Sequence, residues 1–202
     1  MKVQIDKTFP MACSPEIAWE FLQNIEAVAG CMPGAKLTER VSDNHHKGTV
    51  SVKVGPAKMS FRGDVEVQDV DPTNHSLRLI GKGTDSTGSS GASMNILARI
   101  DSSEGGLCEL VGSSEVSMSG KAAAFGGRMM NTVADNILQQ FADNFAAEVA
   151  ALQAQRSGTA GAEGDASGEA APPPRATELN ALSLAWAVLK DWLRGLFSKK
   201  EA

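Results

Sequence analysis

Residues 125–152, FGGRMMNTVADNILQQFADNFAAEVAAL, decide the fold. Gly126 and Gly127 end the strand-like sequence before them, and Met130, Val133, Ile137, Phe141 and Phe145 then return at steps of three and four. Those steps draw one apolar stripe along a helix of 3.6 residues per turn. Met129, Ala134, Leu138, Ala142, Val149 and Leu152 widen the stripe past a third of the circumference. A helix this apolar on one side needs an apolar surface opposite it. The preceding chain supplies strands with one apolar face, so the expected class is α+β, a long helix lying across a curved antiparallel sheet.

Working back to the start, Val3, Ile5, Lys7 and Phe9 alternate with Lys2, Gln4, Asp6 and Thr8, the signature of a strand over residues 2–10. Ser14-Pro15-Glu16 is a helix start, with Ser as N-cap, Pro in the first helical position and an acidic residue in the first turn. Ile17, Ala18, Phe21, Leu22 and Ile25 give that helix its apolar face, and a second short turn runs from Ile25 to Ala29. From Ala35 to Gly120 the period changes to two, and about six strands follow. Turn residues separate them at Asp43-Asn44, Gly55-Pro56, Asp71 to Asn74, Asp85 to Gly91 and Glu104 to Gly106. With the first strand this makes a sheet of about seven strands joined by hairpins.

Beyond the long helix the composition changes in kind. Residues 153–176 are rich in Gly, Ala, Ser, Glu and Gln and end in Pro172-Pro173-Pro174, with nothing large and apolar to bury. They read as a disordered linker with a root-mean-square reach of roughly 25–30 Å. In residues 177–202 Leu179, Leu182, Trp186, Leu189, Trp192, Leu193, Leu196 and Phe197 fill one side of a helical wheel. Asn180, Ser183, Lys190, Asp191, Arg194 and Ser198 gather on the other. The uncharged run Leu179–Leu189 is far short of the ~20 residues that span a bilayer. An amphipathic helix lying in the membrane interface is expected, through Leu182, Trp186, Leu189, Trp192, Leu193, Leu196 and Phe197. A groove on a partner protein, or the domain itself, are the alternative seats. The expected units are therefore 1–152, 153–176 and 177–202.

Composition narrows the function. The net charge of −5 lacks the basic surface that nucleic-acid binding requires. Hydrophobic residues make up 42% of the chain and aromatic ones 5%, with no Tyr, so Val, Ile, Leu and Met must build the interior. Cys13, Cys31 and Cys108 are widely spaced and read as small buried hydrophobes of a reducing compartment. No signal-peptide pattern opens the sequence, and a cytoplasmic protein is expected, peripherally associated with the inner face of the cell membrane.

Motifs for catalysis are missing. Gly81-Lys82-Gly83-Thr84 and Gly88-Ser89-Ser90-Gly91 do not fit a phosphate loop and read as hairpin ends. His45 and His46 are adjacent on a strand, so they point to opposite faces and cannot share a metal. No nucleophile–base pair can be assembled, and no catalytic residue or metal ligand is expected. Met59, Met94, Met118, Met129 and Met130 lie on elements that would face each other. Flexible thioethers fill core gaps and also line adaptable apolar cavities. A curved sheet touching its helix only at the ends would leave a hollow, and hollows of that kind take apolar ligands.

Several stretches together resemble one family. These are Ser14-Pro15-Glu16-Ile17-Ala18-Trp19, Cys31-Met32-Pro33-Gly34-Ala35, Val52-Lys53-Val54-Gly55-Pro56 running into Phe61-Arg62-Gly63, Gly81-Lys82-Gly83, and Gly126-Gly127-Arg128-Met129. Over residues 1–150 the chain is similar to the CoxG proteins of aerobic carbon monoxide dehydrogenase systems, within the START-like, helix-grip superfamily. The resemblance implies a non-catalytic accessory protein of a molybdenum hydroxylase, carbon monoxide dehydrogenase or a related enzyme, placed at the membrane for electron transfer. It also implies an apolar cavity under the long helix, with a respiratory quinone, menaquinone or ubiquinone, as its ligand. Met59, Phe61, Leu79, Met94, Ile96, Met118, Phe125, Met129, Val133 and Ile137 are the expected lining. A recruiting protein without ligand is one alternative. A small cyclase or hydrolase is another, for which Glu66 and Arg99 are the nominees.

Overall fold

The computed structural model describes residues 1–160, with side chains to Ser157. Its elements follow the expected order: β1 (Lys2–Met11), α1 (Pro15–Gln23), α2 (Ile25–Cys31), six further strands, and α3 (Gly127–Ala160). The six are β2 (Ala35–Ser42), β3 (His45–Val54), β4 (Ala57–Asp71), β5 (Ser76–Asp85), β6 (Ser90–Ser102) and β7 (Cys108–Gly120). They pair antiparallel in one sheet of order β1-β7-β6-β5-β4-β3-β2. Every hairpin joins neighbours, and β1 closes against β7, from Lys2 opposite Ser117 to Met11 opposite Cys108. This is the helix-grip arrangement, a curved sheet around one long helix.

Local chemistry accounts for the boundaries. Ser14 caps α1, its hydroxyl accepting from the Ile17 amide at 3.4 Å with Pro15 in the first turn. Asn24 caps α2 in the same way through the Ala27 amide, at 3.2 Å. Gly126, at φ +79°, ends a 3₁₀ turn (Lys121–Phe125) and lets the chain swing into α3. Phe125 therefore stands half-buried before the helix rather than on it. Gly81-Lys82-Gly83-Thr84 lies within β5, not at a hairpin end, whereas Gly88 does occupy the β5–β6 turn.

At its other end α3 continues to Ala160, eight residues past the expected helix end and into the stretch read as linker. Polar ties to α1 hold those added turns. The Gln153 side-chain oxygen accepts from the Ser14 amide at 3.2 Å, and Arg156 pairs with Glu20. Composition alone showed nothing apolar to bury there, and it is side-chain hydrogen bonding that extends the helix. The rest of the expected linker and the amphipathic segment 177–202 lie outside the described residues.

The core is loaded toward one end of the molecule. Phe145 and Val149 on the C-terminal half of α3 are fully buried, against Phe21, Leu22 and Trp19 of α1 and Leu77, Ala98, Ile100, Cys108 and Leu110 of the sheet. Phe21 meets Phe145 edge to face, with ring centres 5.0 Å apart, a favoured aromatic geometry. All three cysteines are buried and unbridged, and Cys13 and Cys108 bring their sulfurs to 3.5 Å in this core. Burial pushes the Cys108 thiol up to about 12, which leaves it a poor nucleophile.

Candidate functional site

The site is set by which face of each strand meets α3. On β5 and β6 the inward set is Leu77, Leu79 and Gly81 beside Ala98, Ile96 and Met94, matched pair for pair. Across to β4 and β3 it continues through Val65 and Val67, then His46 opposite Val65 and Val50 opposite Phe61. Across to β7 and β1 it runs through Val116 opposite Met94, Ser114 opposite Ile96, and then Val3 and Ile5. Alternation thus puts Met59, Phe61, Leu79, Met94, Ile96 and Met118 on one inner face, as their period of two requires.

Above this face α3 approaches the sheet backbone chiefly at β1 and β3, the flanks, and stands off from the central strands. Lys7 of β1 pairs with Asp135 of the helix at 2.8 Å and fixes one flank. Val133 and Ile137 project from the N-terminal half of α3, and both are only half-buried. The same holds for Leu79, Met94, Ile96, Met118 and Met59, although each belongs to a strand with a neighbour on both sides. Phe61 is buried.

Met129 is the exception among the expected lining. It is 41% exposed, with its methyl beside Gly55 in the β3–β4 turn. Successive helical residues are about 100° apart, so Met129 and Met130 cannot both turn inward; Met130 does, at 8% exposure. Two open clefts have sizeable volume. The first, about 480 Å³, lies between α2 and β2 and is lined by Glu26, Ala29, Gly30, Leu37, Arg40 and His46 among others. The second, about 260 Å³, is lined by Thr49, Ser60, Phe61, Arg62, Thr84, Asp85 and Ser86. Of the expected lining only Phe61 borders either cleft.

Polar groups on the inner face are few, and most are spent. Ser114 donates to the Ile5 carbonyl at 3.4 Å, and buried Ser90 accepts from the Ala122 amide at 3.0 Å. His46 is different. It is 3% exposed and its Nδ1 has no partner among the described residues; such a group costs about 1–3 kcal/mol. Its neighbour His45 points to the outer face and bonds Asp64 at 2.9 Å, so the two histidines separate as alternation demands. His46 shares a parity with Val50, Val52 and Val54, and that pattern was the sequence signal for an inward histidine. Glu66 and Arg99 both lie exposed on the outer face, Arg99 forked onto Asp101 at 2.6 and 2.7 Å. That pairing holds the Asp101 carboxyl below the usual range. Neither nominee for catalysis reaches the interior.

Among solved structures the fold is shared widely. A conserved protein from Geobacillus kaustophilus superposes with a TM-score of 0.66 at 20% identity, covering 73% of this chain and 95% of that one. A START superfamily protein from Mycobacterium smegmatis gives 0.52 at 16% identity, over 74% of this chain and 98% of that one. The ZhuI aromatase/cyclase from Streptomyces sp. R1128 gives 0.54 at 14%, over 74% and 94%. These likenesses define the class of fold, START-like helix-grip. Residues 8–150 match the family model for CoxG, the G subunit of carbon monoxide dehydrogenase, and the chain belongs to that family. No curated protein matches it. Among the described residues no helix is long and apolar enough to cross a membrane.

Proposed function

We propose that this protein is a non-catalytic accessory subunit that carries a respiratory quinone, menaquinone or ubiquinone, between its inner sheet face and α3. It links a molybdenum hydroxylase of the carbon monoxide dehydrogenase type to the membrane for electron transfer. One observation carries the ligand: Leu79, Met94, Ile96, Val133 and Ile137 face each other across sheet and helix yet remain half-buried. The same helix buries Phe145 and Val149 completely a few turns on. Apolar surface left open in the centre of a domain gains roughly 25 cal/mol per Å² when an apolar molecule covers it. Membrane attachment through residues 177–202, from the inner face of the cell membrane, rests on the amphipathic pattern of that segment.

Solvent extraction of the full-length protein purified from membranes, followed by mass spectrometry, is expected to yield an isoprenoid quinone. Val133→Trp fills the space beneath α3 and should cut the extracted quinone at least about tenfold, a loss of about 1.4 kcal/mol or more. Recruitment of the dehydrogenase to membranes should persist in that variant. Deleting residues 177–202 should do the reverse. Quinone absent from the wild type, with recruitment intact, would leave a ligand-free recruiting protein.

A further inference from the structure

His46 is the buried side chain that the folded protein leaves unanswered. Every other inward polar group named above has a partner: Lys7 holds Asp135, Ser114 bonds the Ile5 carbonyl, and Ser90 takes the Ala122 amide. His46 Nδ1 has none among the described residues, and the residue sits where two spaces meet. On one side it borders the α2–β2 cleft with Glu26 and Arg40, which approach each other at 3.9 Å. On the other it ends a line of residues in register across the sheet, Met94, Gly81, Val65, His46.

That line crosses three strand steps, about 14 Å at the usual strand spacing. It is apolar until its last member. Met94 folds its side chain over Gly81, where a Cβ would come within 2.6 Å of the Met94 methyl, so the floor beneath α3 is smooth up to Val65. A molecule lying on this floor meets hydrocarbon along its length and one unused imidazole nitrogen at its end. An amphiphile with a greasy chain and a ring bearing carbonyl oxygens matches that order of surfaces.

Resting on the ligand reading above, we infer that the ring of the ligand seats at His46. Its Nδ1 donates a hydrogen bond to a ring carbonyl of the oxidised form. The same nitrogen, in the other tautomer, accepts from a ring hydroxyl of the reduced form. Both redox forms are then held in one place, and the cleft beside Glu26 and Arg40 supplies a polar opening next to the ring.

The test uses the full-length protein with two probes, menaquinone-4 and the carbonyl-free isoprenoid squalene. His46→Phe should weaken menaquinone-4 binding by about five- to tenfold, the worth of one hydrogen bond, and leave squalene binding unchanged. His46→Gln, which keeps a donor, should recover part of the loss. In the wild type the infrared carbonyl band of ¹³C-labelled menaquinone-4 should shift down from its position in hydrocarbon, a measurement that needs no variant. Equal menaquinone-4 affinity in wild type and His46→Phe, with an unshifted band, overturns the seat while the ligand reading stands. Equal weakening of both probes assigns His46 to packing and also overturns it. A wild type that binds neither probe removes the ligand reading and the seat together.

Discussion

Phe145 and Met129 come from the same apolar stripe, and the structure gives them opposite fates. Phe145 is fully buried against Phe21 and Phe141, whereas Met129 reaches solvent beside Gly55. Phe145→Ala should therefore cost about 3–5 kcal/mol, the usual range for emptying an aromatic site in a core. Met129→Ala should stay within about 0.5 kcal/mol. Urea denaturation of both variants checks the pair, and equal losses would mean that the N-terminal half of α3 packs as tightly as the C-terminal half. The stripe was legible in the sequence because a period of 3.6 is a property of spacing. Its inner edge was not, because two adjacent methionines are equally apolar and only the position of the sheet selects Met130.

At the scale of elements, the glycines of the family motifs bend the sheet. Gly48, Gly63 and Gly83 stand in register across β3, β4 and β5. A Cβ on Gly63 would come within 2.0 Å of the Lys82 carbonyl oxygen and 2.6 Å of the Gly83 Cα. Neighbouring backbones approach this closely only where no side chain intervenes. Gly63→Ala should cost about 1–3 kcal/mol by forcing the strands apart, measurable as a lowered thermal midpoint. An unchanged midpoint would show that the sheet can relax there. Strand order and the hairpin turns could be read in advance from alternation and from Gly, Asn, Asp and Pro at the breaks. Two features could not. Gly81-Lys82-Gly83 has the composition of a turn, yet strand pairing on both sides holds it in β5. Likewise the added turns of α3 depend on Gln153 and Arg156 reaching α1, contacts between residues far apart in the chain.

The whole molecule is asymmetric along α3. Its C-terminal half closes on α1, α2 and the sheet, while its N-terminal half bridges from β1 to β3 over apolar side chains that remain partly open. The expected lining was legible on the strands, where parity alone selects Leu79, Met94, Ile96 and Met118. His46 was carried by the same parity, but its significance depends on the absence of a partner, a three-dimensional fact. One continuous rod of hydrogen bonds is thus anchored at one end only, and its amides should trade protons with heavy water at very different speeds. Those of Phe141 to Val149 should exchange only when the entire domain opens, those of Arg128 to Gln140 through smaller and more frequent excursions. Mass-resolved deuterium uptake would display that gradient, and a guest beneath the looser half should slow its uptake without altering the rest.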